Sequence, residues 1–240
     1  MTDAPDGSLQ RIDRDRLWGL AQAQLRDALL GGRFEPGRSL TLRHLAEIFG
    51  TSITPVRDAV MRLVAQGVLE QGARNSAVVP DVGTGTLRHL TVVRTELEGR
   101  AAREAALRRT PRDLAVLEER LDTMRALIAR RDLDSYLDIH RRFHFGIYEM
   151  AGNPILYDVI ENLWLRCGPV LTFVLPEYVL TLKGTDHHGN VLDAIRQGDA
   201  DRAEAEIVAD IKEAESYLLG LADPTGRIRK PQALLVTGAS

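Results

Sequence analysis

The chain of 240 residues has a single cysteine, Cys167, so no internal disulfide framework can staple it. A reducing, intracellular compartment is the simpler expectation. No run approaches the roughly 18 consecutive apolar residues of a membrane span. The N-terminal segment MTDAPDGSLQRIDRDR is polar and acidic, unlike a secretory signal peptide, and the expectation is a cytoplasmic protein with no membrane partner. Internal repeats and low-complexity tracts are also missing, which removes solenoids and biased linkers from consideration. So is a strong charge of one sign. With 31 Lys+Arg against 34 Asp+Glu, the net charge of -3 argues against a chain that coats nucleic acid through bulk electrostatics.

What is present is a hydrophobic content of 44%, enough for a buried core. The charge is unevenly spread. Asp13 to Pro80 carries 9 Lys+Arg and 7 Asp+Glu, whereas Asp81 to Ser240 carries 21 and 25. This weak split suits two domains with different partners.

The local signals divide the chain in the same place. Leu17, Leu20, Ala21, Leu25, Ala28 and Leu29 follow the spacing of an amphipathic helix from Arg14 to Leu30, stopped by Gly31-Gly32. A short helix carries Leu42, Leu45, Ala46 and Phe49 and ends at Gly50. A third has Thr54 as its expected N-cap, Pro55 at its first position, and Val56, Ala59, Val60, Leu63 and Val64 on its apolar stripe. After Gly67, VLEQ and SAVVP read as two strands joined by GARN. Three helices and a hairpin predict a winged helix-turn-helix over 13–80, preceded by a tail at 1–12. The small residues of Asp81-Val-Gly-Thr-Gly-Thr86 predict a linker.

Beyond the linker only helices are expected. They run from Leu87 to Leu107, from a Thr110-Pro111 cap to about Ala129, and from Asp134 to Gly152-Asn153. Further helices start at Pro154, run from about Asp186 to Gln197, and end near Leu221. The prediction is a mainly α protein, with an all-α helical bundle over 87–222 and a tail over 223–240.

In a helix-turn-helix the second helix of the pair enters the major groove, and neighbouring donors grip phosphates. Thr54 and Arg57 are the expected base-facing residues, Arg57 foremost because a guanidinium pairs bidentately with guanine. Thr51, Ser52 and Arg43 are expected phosphate contacts. The stretch PGRSLTLRHLAEIFGTSITPVRDAVMRLVAQGVL resembles the N-terminal signature of the GntR family of bacterial transcription regulators. PG, LAE, G-x-S, TPVR and L-x-x-x-G-V-L fall in register. In similar sequences an arginine usually precedes TPVR, where this chain has Ile53, and the basic residue and glycine usual at the wing tip correspond to Asn75-Ser76. The resemblance therefore implies binding to double-stranded DNA with altered operator preference or weaker affinity, with Arg74 and Asn75 at the wing.

In IHRRFHFGIYEMAGNP, His140 and His144 lie four residues apart, a spacing used by metal sites on one helix. A zinc peptidase of the HExxH type needs a glutamate after its first histidine, and Arg141 stands there. Nucleophile-elbow, Walker and dinucleotide motifs are missing as well. His187, His188 and Asp210 are candidates for further ligands. LDIHRRFHFGIYEMAGNPIL and HHGNVLDAIRQGDADRAEAEIVADI resemble the middle and end of the FCD domain of FadR-like GntR regulators, where an aspartate and three histidines commonly bind a divalent metal. The resemblance places these four ligands at His140, His144, His188 and Asp210, with His187 as the alternative to His188. The first and last ligands are exchanged in type, so three imidazoles and one carboxylate remain. Zinc, nickel and manganese all suit such a set.

The same resemblance points Arg94 into the cavity, where it would pair with the acid group of a small carboxylate effector. Read from spacing alone, Arg94 is a surface arginine paired with Glu98. Asn162 and Arg166 are further pocket candidates, and Trp164 is a core candidate. The implied protein is a homodimeric, ligand-responsive regulator, most often a repressor, on a palindromic operator. The competing classes are a metal-dependent enzyme and a helical sensor that no longer binds DNA.

Overall fold

A computed structural model describes residues 14–174 and 186–231. The expected tail at 1–12 and the last nine residues of the expected tail at 223–240 lie outside them. The first block comprises α1 (Arg14–Leu30), β1 (Ser39–Thr41), α2 (Leu42–Ile48), α3 (Ile53–Ala65), β2 (Glu70–Gln71) and β3 (Ser76–Val78). The strands form one antiparallel sheet in the order β1-β3-β2, with Leu40 and Gln71 both opposite Ala77. Leu25, Leu29, Leu45, Val56, Val60, Leu63 and Ala77 are buried and join the helices to the sheet. This is a winged helix-turn-helix with a third strand, Ser39–Thr41, that hydrophobic patterning alone did not predict.

Local chemistry explains the helix starts. Thr41 caps α2 by accepting a hydrogen bond from His44 N at 3.3 Å. Helix α3 begins at Ile53 after Ser52, not after Thr54 as expected. Pro55 is tolerated two residues further in because the first turn of a helix has no intrahelical acceptors for its N–H groups anyway.

The second block comprises α4 (Thr84–Arg108), α5 (Pro111–Arg130), α6 (Leu133–Met150), α7 (Pro154–Leu171) with a following 3-10 turn at Thr172–Val174, α8 (His187–Gln197) and α9 (Ala200–Gly220). Thr110 and Asp113 form a reciprocal capping box at α5. Asn153 caps α7 through Leu156 N, with Pro154 in its first turn. Asp132 caps α6 through Ser135 N, so that helix starts just before the expected Asp134. In α4, buried Ala101, Ala102, Ala105 and Ala106 make a narrow face. Such a face lets neighbouring helices approach closely, and α4 runs along α9 and also meets α6, α7 and α8. No described helix is long and apolar enough to cross a membrane.

Two boundaries differ from expectation. Helix α4 starts at Thr84, taking the second half of the expected linker into its first turn. The segment from Asp223 to Lys230, expected as tail, folds back. Gly226 O accepts Thr84 N at 2.9 Å, Gly83 bridges Arg227, and Ile228 is buried with Val82, Leu87, Phe173 and Leu218. Its lone apolar anchor between polar neighbours shows no periodicity, which is why patterning missed it.

The two blocks meet where the end of α1 lies on the end of α7. A Cβ added to Gly168 would sit 2.9 Å from Leu29 O, and one added to Gly32 would overlap Thr172. Gly168 therefore permits a backbone contact that any side chain would prevent, and Gly32, at φ 65°, leaves room for the Thr172 side chain. Arg26 pairs with Glu161 across the same seam.

Candidate metal centre and DNA-facing surface

The N-terminal half of α3 buries Pro55, Val56, Ala59 and Val60 and leaves Ile53, Thr54, Arg57 and Asp58 exposed. Ser52 before it is exposed and Thr51 is half-buried. Arg43 is exposed on α2, with its Nε 3.3 Å from Glu47 Oε1 one turn on. At the wing, Arg74 and Asn75 are exposed, with φ of 50° and 61°. Asparagine adopts this left-handed region with little penalty, but arginine is held there at some cost.

The helical block brings together His140 and His144 of α6, His188 of α8 and Asp210 of α9. His144 Nε2 lies 3.2 Å from His140 Nε2 and 3.1 Å from His188 Nε2. The Asp210 carboxylate oxygens lie 3.6 Å from His144 Nε2 and 3.8 Å from His188 Nε2. His187 is turned elsewhere: its Nδ1 is 2.8 Å from Glu206 and its Nε2 is 3.0 Å from Glu213.

These spacings test whether the donor set fits an ion. Ligands about 2.05 Å from one ion stand about 3 Å apart. The two nitrogen pairs at 3.1 Å and 3.2 Å fall near that spacing, all three histidine nitrogens lie within 4.8 Å of one another, and Asp210 stands at the edge of that group. Burial, followed by the neighbouring histidines and Arg94, holds the His140 and His144 pKa values well below the ordinary 6.5. Both rings are therefore neutral and carry a lone pair. Burial pushes the Asp210 pKa up, against the pull of His188, His187 and Arg94.

Hydrogen-bond accounting identifies which nitrogen of His144 is free. Glu98 is fully buried and accepts from Arg94 Nε at 2.5 Å, from Arg94 Nη2 at 3.2 Å, and from the Tyr148 hydroxyl. Burial and Glu98 hold the Tyr148 pKa well above 10, so the phenol keeps its proton. Having donated to Glu98, the Tyr148 oxygen accepts from His144 Nδ1 at 3.2 Å. His144 Nε2 is then left with a lone pair and no proton. It can accept one N–H from a neighbouring histidine but cannot satisfy both, whereas a cation in their midst is bound by all three. Residues 140, 144 and 148 continue one i, i+4 row, as do 94 and 98, so this support was available in the sequence as spacing.

Arg94 lines the pocket as expected, but it is only 5% exposed, paired with Glu98, and 5.0 Å from the Trp164 ring centroid. It is not a surface residue. The cavity has a volume of about 80 Å³ and is walled by the three histidines, Asp210, Arg94, Tyr136, Trp164 and several aliphatic side chains. Asn162 and Arg166 do not line it. Arg166 instead lies in a separate cleft beneath the winged helix, where a Gly67 Cβ would stand 3.8 Å from its guanidinium. Position 166 falls on a different face of α7 from Trp164, a distinction that membership in the same helix could not supply. Tyr148, Tyr136 and Arg141 were missed as site residues.

A winged helix-turn-helix joined to a helical bundle defines a class: one-chain transcription regulators that pair a DNA-binding block with a helical domain. Residues 20–79 match the bacterial regulatory proteins of the gntR family, and residues 89–213, over half the chain, match the FCD domain. The chain belongs to the GntR family, in its FCD-containing branch, and is a transcriptional regulator of that type.

Among relatives, it is 37% identical over 150 residues to the HTH-type transcriptional regulator McbR of Escherichia coli K12, covering 62% of this chain and 68% of McbR. It is 26% identical over 182 residues to the HTH-type transcriptional repressor RspR of the same organism, covering 74% and 78%. The solved structure of E. coli McbR/YncC superposes with a TM-score of 0.77 at 32% identity, over 84% of this chain and 97% of that one. These relatives are regulators, and the enzyme reading is set aside.

Proposed function

We propose that this regulator is a homodimeric repressor that binds a palindromic double-stranded operator and responds to a small carboxylate metabolite at a metal-containing pocket. The observation that carries the reading is the convergence of three imidazole nitrogens within 4.8 Å of one another in the wall of a cavity, with the Asp210 carboxylate 3.6 Å from one of them. His140, His144, His188 and Asp210 would hold a divalent metal, with zinc, nickel and manganese all compatible. When bound, the metal would supply positive charge that draws an oxygen anion into the cavity. The protein's own groups orient the ligands, keep the rings neutral, and line the cavity with apolar surface.

Operator contact falls to Thr54 and Arg57 at the start of α3, with Arg43, Thr51 and Ser52 on phosphates and Arg74 and Asn75 at the wing. Repression follows the role of the relative RspR, a transcriptional repressor. A dimer is supported by exposed apolar side chains on the adjacent helices α4 and α7, namely Val92 at 65%, Ile155 at 76% and Val159 at 44% exposure. It is also what a two-fold operator requires. For the effector to act, it must bind the DNA-competent and incompetent arrangements with different affinity.

The test is elemental analysis of the purified full chain beside His188→Ala and Asp210→Ala. The expected result is about one divalent ion per chain, lost in both variants. Wild-type protein that takes up no zinc, nickel or manganese on dialysis, or variants that keep full metal content, would remove the sensor reading.

A further inference from the structure

Arg141 was singled out in the sequence only because it stands where a metalloprotease would have glutamate. In the structure it walls the same cavity as the histidines, next to Leu30 from the end of α1. Its Nη2 bonds Asp138 Oδ1 at 2.9 Å on its own helix, and its Nη1 lies 3.8 Å from Asp27 Oδ1 on α1. Its Nε is buried and has no acceptor. Trp164, which also walls the cavity, likewise has a buried Nε1 without an acceptor. Two orphaned donors in the walls of one cavity are a cost to the ligand-free protein unless an acceptor enters. Arg94 differs, because Glu98 already takes its Nε/Nη2 edge, one of the two edges a guanidinium can offer a carboxylate.

We propose that Arg141, rather than Arg94, pairs with the acid group of the ligand, and that doing so draws its guanidinium away from Asp27 of the winged helix. The inference rests on the proposed carboxylate-sensing function and adds the residue that reads the acid. It also gives occupancy a direct route to the DNA-binding block. A ligand held by Arg141 touches the cavity wall at Leu30, beside the backbone contact between Leu29 and Gly168. The small cavity and its aliphatic walls select a short-chain carboxylic acid.

The experiment is calorimetric titration of the zinc-loaded full chain with the straight-chain monocarboxylates from acetate to hexanoate and the dicarboxylates from malonate to adipate. Wild type is compared with Arg141→Gln, Arg141→Lys and Asp27→Asn. At least one acid should bind wild type, bind Arg141→Gln at least tenfold more weakly, and bind Asp27→Asn two- to fivefold more tightly because a competitor for the guanidinium has gone. Arg141→Lys should recover only part of the loss, since an ammonium cannot make the two parallel bonds. Binding to Arg141→Gln at wild-type strength overturns the assignment and leaves the sensor reading standing. Binding by none of the acids to zinc-loaded wild type removes both. If Arg141→Gln does not fold, Asp27→Asn decides alone: unchanged affinity there refutes the competition.

Discussion

Replacing Tyr148 by phenylalanine separates metal ligation from its support, because it leaves all four candidate ligands in place. The hydroxyl donates to Glu98 and accepts from His144 Nδ1. Removing it deletes a hydrogen bond to a buried carboxylate, about 1.5–3 kcal/mol, and strands a buried ring N–H, about 1–3 kcal/mol. The orphaned ring can relax by moving its proton to Nε2, which hides the lone pair that faces His140 and His188. Loss of stability should be about 2–4 kcal/mol, or roughly 5–15 °C in melting temperature for a chain of this size. Metal affinity should fall about 10- to 100-fold, as expected when an outer-shell partner of a ligating histidine is lost. Competition against a chelator of known zinc affinity measures the second quantity, and thermal unfolding with and without zinc measures the first. Wild-type zinc affinity in Tyr148→Phe would refute the tautomer argument, even if the variant proved less stable.

Three further outcomes follow from other parts of the molecule. Arg57→Ala should leave the fold intact, because the side chain is exposed, while weakening specific operator binding by about 1–3 kcal/mol in a mobility-shift titration at fixed salt. Gly168→Ala should push α1 from α7, since its new methyl would meet Leu29 O at 2.9 Å. A loss of about 1–3 kcal/mol, with faster hydrogen exchange concentrated at the end of α1, would be observed. Finally, the metal-free protein should lose stability as the pH falls below about 6.5. His140 and His144 have folded pKa values below their unfolded values. The unfolded chain therefore takes up protons first, and each ring removes about 1 kcal/mol per pH unit until its folded pKa is reached. The raised Asp210 pKa acts with the opposite sign. Denaturant melts at pH 7.5, 6.5 and 5.5 check the slope, and a flat profile would contradict the burial of neutral rings.

Much was determined by the sequence alone, because it depends on contacts a few residues apart. Helical spacing, the Gly31-Gly32, Gly50 and Gly67 stops, the Thr110-Pro111 and Pro154 starts, and the i, i+4 relation of His140 to His144 are all local, and local preferences survive into the fold. Family motifs extended this reach to His188 and Asp210, which spacing could not have joined across helices α6, α8 and α9. Only the tertiary structure decided which groups face one another. It turned His188 inward and His187 toward Glu206 and Glu213, and it put Trp164 in the cavity wall while Arg166 went to another cleft. It also buried Arg94 against Glu98 and set Arg141 between the histidine-lined cavity and Asp27. The physical reason is that a helix has several faces, and which neighbour covers each is fixed by long-range packing. Close approaches such as Leu29 on Gly168 belong to two distant segments and leave no periodic mark in either.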